Sequence, residues 1–239
     1  MKQPITIHLL DIEGTTTPID FVHRTLFGYA KREMSRFLSE YAEDGNLLVK
    51  LGELRQEYLR EREAGEVQEY WPNDDRAEEA LTYLLWLISV DRKSPQLKWM
   101  QGKIWQEGYV SGELKGEVFP DVPVAFERWS NEGIATAIYS SGSVLAQRLL
   151  FGYSTAGDLT AYIDAYFDTA VGNKRDPLSY KNIAEALDVP PQEILFVTDV
   201  PEELTAAREA GMQVVLSVRP GNAPVTGEFR RIESFDELS

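Results

Sequence analysis

The chain has 239 residues, with 24 Lys+Arg against 39 Asp+Glu and a formal net charge of −15, a balance that argues against a nucleic-acid binder or an anionic-membrane binder. Apolar residues make up 43% and aromatic residues 11%, too much for a disordered acidic tail. There is no cysteine, which rules out disulfides, thiolate nucleophiles and Cys-ligated zinc.

In chain order, a first strand is expected over Ile5–Asp11 (ITIHLLD). Its nearly continuous apolar run is that of a strand buried on both faces. The run ends at Asp11, too short for a secretory leader. It carries His8, one of only two histidines, and neither His8 nor His23 sits at metal-binding spacing. Residues 19–117 differ in character. Helical apolar spacing marks Asp20–Tyr41, Leu47–Ala64, Asp75–Asp91 and Pro95–Gly108, separated by turn compositions at Asp44-Gly45-Asn46, Ala64-Gly65, Trp71-Pro72-Asn73 and Lys93-Ser94-Pro95. The greasiest stretch, Leu81–Val90, falls far short of the ~20 apolar residues of a bilayer span. Strand and helix then alternate. Strands are expected over Ile134–Ser141, Ala165–Thr169, Ile194–Asp199 and Gln213–Arg219, with helices such as Ser143–Phe151, Ser179–Leu187 and Glu202–Ala210 between them.

That alternation predicts an α/β fold, a doubly wound parallel sheet. The expected division is a core of residues 1–18 and 118–239, with a mainly helical domain of residues 19–117 inserted after the first strand. Ligands of such sheets lie beyond the carboxyl ends of the strands. Polar residues gather there: Asp11 with Glu13, Ser140 with Ser141, Lys174, and Asp199. Each has an ordinary reading. Asp11 suits an Asx turn, Ser140–Ser143 a helix N-cap, Lys174 a solvated surface charge, and Asp199 with Glu202 a relative of the capping box. Each also has a chemical one: a nucleophilic carboxylate, hydroxyls for phosphate oxygens, a compact cation, and a second carboxylate for a divalent metal. Their order along successive strand ends is harder to obtain from capping alone.

That order, with the DIEGTT run from Asp11 to Thr16 and the YSSGS run from Tyr139 to Ser143, resembles the haloacid dehalogenase (HAD) superfamily and, within it, the enolase-phosphatase E1 family of methionine salvage. Leu149-Leu150-Phe151-Gly152, Phe167-Asp168-Thr169, Arg219-Pro220-Gly221-Asn222 and the insertion from Trp71 to Tyr109 look like further family signatures. The chain departs from the pattern at Asn173 and Tyr153, where that family often carries His.

The resemblance implies a HAD-like core with an inserted helical cap that closes as a lid. It implies a Mg²⁺-dependent phosphatase acting on 2,3-diketo-5-methylthiopentyl-1-phosphate through an aspartyl-phosphate. Asp11 would be the nucleophile, Glu13 the acid–base group, and Ser140, Ser141 and Lys174 the phosphate-binding groups, with Lys174 also catalytic. One Mg²⁺ per chain would be held by Asp11, Glu13 and Asp199. A cytoplasmic monomer is expected, with no nucleic-acid or membrane partner. Other readings are a HAD phosphatase for another small phosphate ester, and a receiver-like phosphoacceptor module. The latter lacks both a long helical insertion and an acid two residues beyond the acceptor.

Overall fold

Strand β1 (Ile7–Leu10) occupies the middle of a sheet in which every neighbouring pair is parallel. The other strands are β2 (Ala135–Tyr139), β3 (Ala165–Phe167), β4 (Ile194–Thr198), β5 (Gln213–Ser217) and β6 (Arg231–Ile232), in the spatial order β3-β2-β1-β4-β5-β6. This computed structural model describes residues 4–67, 71–72, 76–225 and 228–238. Asn73 of an expected turn and Asp75, expected to open a helix, lie outside the described residues. The five expected strands are present, each shorter at one or both ends. The strand β6 has only two residues, too few for a periodic signal.

The chain divides into two compact units, residues 1–22 with 112–239, and residues 23–111. In the second unit lie helices α1 (Phe27–Glu40), α2 (Gly45–Glu63), α3 (Leu81–Ser89) and α4 (Pro95–Ser111). The Asp44 side chain caps α2 by accepting from Leu47 N–H at 2.9 Å. Helix α1 packs on α3 and α4. The approach to α4 is close at Gly108, where any Cβ would fall 2.7 Å from the Tyr29 ring. Trp105 donates its indole N–H to Leu26 O at 2.9 Å, and Tyr109 is buried, so both serve the unit's own core. Among the described residues no helix is long and apolar enough to cross a membrane.

In the first unit the sheet is flanked by α5 (Asp121–Glu132), α6 (Val144–Gly152), α7 (Pro177–Ala186) and α8 (Pro201–Glu209). Ile7, Leu9, Tyr139 and Phe196 pack with Tyr180 and Ile183 of α7 and with Leu204 and Ala207 of α8. Helix α5 falls where no element was expected, although Val122, Ala125, Phe126 and Trp129 recur at helical spacing and are all buried. His8 points to this helix, its ring 4.1 Å from that of Trp129. Burial, reinforced by the charge of Arg128, lowers the His8 imidazole to about 4. It is therefore a neutral core residue at pH 7.

The strand order reverses between β1 and β4: β2 and β3 extend the sheet on one side, β4 to β6 on the other. In doubly wound sheets the crevice at this switch is where ligands bind. Asp11 follows β1 and Asp199 follows β4.

Candidate active site

Register sets the site. Leu10 pairs with both Ile138 and Val197, which brings Asp11 level with Tyr139 on one side and Thr198 on the other. Asp11 is buried, and its carboxylate is held at both oxygens. Oδ1 accepts the N–H of Ile12 at 2.8 Å and meets Lys174 Nζ at 2.7 Å. Oδ2 accepts the Thr198 hydroxyl at 2.9 Å. This is a fixed anion, not a side chain folded into an Asx turn.

Lys174 is only 8% exposed, so it is not a solvated surface charge. Its ammonium lies between Asp11 and Glu203, at 2.8 Å from Glu203 Oε2, and 5.6 Å over the Tyr139 ring. Burial alone would lower the lysine pKa. The two touching carboxylates reverse that and hold it above the ordinary lysine range. The loop that carries it is fastened by α7 and β2. Tyr180 donates to Lys174 O at 2.6 Å, Ser179 to Asn173 O at 2.7 Å and Tyr139 to Gly172 O at 3.0 Å.

Glu203 sits in the first turn of α8 and is pushed up to about 7 by burial and by the charge of Asp11. Asp199 is also raised to about 7, by burial first and then by the charges of Asp11 and Glu13. The capping-box alternative for Asp199 and Glu202 does not hold. The N-cap of α8 is Val200, with no side-chain cap bond, which leaves the Asp199 carboxyl available.

The β2 end carries both of its readings at once. Ser143 caps α6 by accepting from Ala146 N–H, and Asp168 Oδ2 takes Val144 N–H at 3.2 Å, so two N–H groups of the helix start are already used. Ser140 Oγ accepts Gly142 N–H at 3.2 Å and therefore keeps its own hydrogen for another acceptor. Gln147 ties the loop down from beneath, donating to Gly142 O and Phe167 O at 2.9 and 2.8 Å. Among the described residues the hydroxyls of Ser140 and Ser141 bond to none of Asp11, Glu13, Lys174 or Asp199.

The turn after β1 is clamped by residues from the far end of the chain. Gly14, at φ +66°, lies against the Asp199 carboxyl and Asn222 Oδ1, which occupy the place of a side chain. Its carbonyl accepts from Asn222 Nδ2 at 2.9 Å and Ser217 Oγ at 3.0 Å. The buried Arg219 guanidinium, between the rings of Phe119 and Phe235, bonds Thr15 O at 3.2 Å and pairs with Asp121 Oδ2 at 2.8 Å.

The donor set fits a hard divalent cation. Asp11 and Glu203 bring carboxyl groups to the buried Lys174 ammonium, and Asp199 feels the charges of both Asp11 and Glu13. Beside Asp199, the buried Asn222 Oδ1 has no hydrogen-bond partner. Oxygen ligands under excess negative charge are what Mg²⁺ takes. Among the described residues no three Asp, Glu or His side chains are gathered closely enough to hold a metal by themselves. Main-chain or amide oxygens would have to complete the set.

The profile of the family described as "Hydrolase: haloacid dehalogenase-like hydrolase" matches residues 5–211. A relative named Enolase-phosphatase E1 from Synechococcus elongatus is 54% identical over 235 residues, 98% of each chain. One of that name from Drosophila mojavensis is 51% identical over 220 residues, 92% of this chain and 88% of that one. Among solved structures, the UTR4 protein of Saccharomyces cerevisiae superposes with a TM-score of 0.79 at 34% identity, covering 98% of this chain and 100% of that one. CbbY from Rhodobacter sphaeroides in complex with phosphate, at 20% identity, shares the fold with a TM-score of 0.58, covering 98% and 96%. By its match over nearly its whole length, this chain belongs to the haloacid dehalogenase-like hydrolases and, within them, to the enolase-phosphatase E1 family.

Proposed function

We propose that the chain is an enolase-phosphatase of methionine salvage. It would convert 2,3-diketo-5-methylthiopentyl-1-phosphate to the acireductone 1,2-dihydroxy-3-keto-5-methylthiopentene and inorganic phosphate. The observation that carries this reading is the Asp11 carboxylate, held at both oxygens at the sheet's switch point with Lys174 against one of them. Full-length similarity to relatives named Enolase-phosphatase E1 supports the choice of substrate.

Enolisation removes a proton from the carbon that bears the phosphate ester, which is acidic because it lies next to a carbonyl. Glu13 would accept that proton. Asp11 then attacks phosphorus in line, the bond to the ester oxygen breaks, and Glu13 returns a proton to the leaving oxygen. A water molecule, losing its proton to Glu13, attacks the phosphorus of the aspartyl-phosphate. Phosphate leaves, the Asp11 carboxylate is restored, and the proton now on Glu13 goes, directly or through solvent water, to the enolate oxygen left by the first step, which completes the 1,2-dihydroxy product and returns Glu13 to its starting form. Ser140, Ser141 and Lys174 would hold the phosphoryl oxygens, Lys174 with the N–H left after its bonds to Asp11 and Glu203.

Asp11, Asp199 and an oxygen of Glu13 would hold one Mg²⁺. When bound, such an ion screens carboxylate from phosphate and polarises the phosphoryl oxygens. The enzyme would work as a cytoplasmic monomer on this small anion.

The Glu13 role is tested by following enol formation and phosphate release separately in Glu13→Gln and Glu13→Asp. Glu13→Gln is expected to slow both by roughly 100-fold or more, the range of a lost acid–base group. Glu13→Asp, one methylene shorter, should retain more of the phosphatase step than of enolisation. Unchanged enolisation in Glu13→Gln would remove Glu13 as the base, and a wild-type enzyme that releases no phosphate from the diketone would overturn the function.

A further inference from the structure

We propose that Thr198 is a positioning residue for the Asp11 nucleophile, an inference that rests on the phosphatase reading. The pairing of Leu10 with Val197 makes Thr198 the residue beside Asp11 on β4, and it is fully buried. Its Oγ1 lies 2.9 Å from Asp11 Oδ2 and 3.1 Å from Glu203 Oε2, and it accepts Val200 N–H at 3.3 Å. A hydroxyl has a single hydrogen. With Val200 N–H on its acceptor side, that hydrogen must choose between the two carboxylates.

The choice has a consequence for the reaction. Asp11 Oδ1 has two donors, Ile12 N–H and Lys174, whereas the Thr198 hydroxyl is the bond that fixes Oδ2. Without it the protein's own groups would hold the carboxylate at Oδ1 alone, leaving it freer to turn about its Cβ–Cγ bond, out of line with the phosphorus. When Asp11 becomes an acyl phosphate its charge is spent and it accepts hydrogen bonds poorly. The hydroxyl can then turn to Glu203, which also holds Lys174. Thr198 thus steadies the nucleophile before attack and the Lys174–Glu203 pair after it. A β-branched residue at this strand end has a stiff χ1, which suits a hydroxyl kept in one place.

The test compares wild type, Thr198→Val, Thr198→Ser and Asp11→Asn, with Mg²⁺ and para-nitrophenyl phosphate as the probe. Valine keeps the shape and the strand but not the hydrogen, and serine keeps the hydrogen. Thr198→Val is expected to lose at least ~30-fold in kcat, within the ~100-fold that misplacing a reacting group can cost, with KM changed by less than about threefold. Thr198→Ser should recover most of that loss, which a role in packing alone would not produce. If Thr198→Val fails to fold, Thr198→Ala against Thr198→Ser makes the same comparison. A valine or alanine variant with more than a third of wild-type kcat, or a serine variant as poor as either, overturns the proposal, while an inert Asp11→Asn leaves the phosphatase reading standing. The same four proteins are then assayed for phosphate release from the diketone phosphate, and wild type as inert as Asp11→Asn on both substrates overturns both readings.

Discussion

Replacing Lys174 by methionine is expected to lower phosphate release by roughly 100- to 1000-fold, the usual cost of removing a preorganised donor at a site of developing negative charge. Methionine preserves the reach of the side chain and deletes only the ammonium. Asp11 and Glu203, each now within 2.8 Å of that ammonium, would be left as two buried acids sharing the Thr198 hydroxyl. Removing one partner of a buried ion pair costs about 3–5 kcal/mol, so the loss of activity should come with a lower urea midpoint. Lys174→Arg should recover little, because a planar guanidinium cannot enter a slot whose two oxygens already contact a compact ammonium. A methionine variant within tenfold of wild-type kcat would show that the charge of Lys174 is not used in the reaction.

A single methyl group at Gly14 is expected to do nearly as much damage. Gly14→Ala would place a Cβ 2.7 Å from Asp199 Cγ and 2.8 Å from Asn222 Oδ1, at a backbone φ of +66°. The left-handed conformation alone costs a residue with a Cβ about 1–2 kcal/mol. The collision adds to it, and the relief available is to move Asp199 or to pull Asn222 off the Gly14 carbonyl. Either shift spoils the proposed metal-binding edge, so phosphate release should fall by about 100-fold or more. Gly133→Ala separates the two effects. Gly133 has φ +75° with open space around its Cβ position, so that variant should lose about 1 kcal/mol of stability and keep its turnover. If Gly14→Ala behaves like Gly133→Ala, the close packing of Asp199 on this turn has no bearing on catalysis.

The parts of the site that read well from sequence share one cause. Asp11 and Asp199 each end a strand buried on both faces, so an apolar run stopping at an acid marks a strand end even without coordinates. Ser140 follows the buried strand β2 in the same way, whereas Lys174 stands in a loop seven residues beyond the half-buried β3 and reaches the site only because Tyr180, Ser179 and Tyr139 fasten that loop. The supports are another matter. Ser217 and Asn222 reach the Gly14 carbonyl across more than 200 residues of chain, and Arg219 does the same for Thr15. Nothing local to those residues marks that contact, which exists only because β5 is brought near the β1 end by the order of strands. Thr198 is an intermediate case. A hydroxyl one residue before a strand-ending acid is visible, but its partner follows from the pairing of Leu10 with Val197, which is a property of the sheet. The ordinary reading of Ser143 as an N-cap is correct and compatible with chemistry at Ser140, since the two hydroxyls have different neighbours. The ordinary reading of Asp199 as a cap fails because the helix starts a residue later, after Val200.

Chemical quench during turnover examines the Asp11 bond itself. Wild-type protein mixed with Mg²⁺ and the diketone phosphate, stopped in acid within the first turnover and digested, should yield the peptide containing Asp11 carrying one phosphoryl group. Asp11→Asn should yield neither that adduct nor free phosphate. Phosphate released at the wild-type rate by Asp11→Asn, or a covalent phosphoryl group found on another residue, would contradict the account.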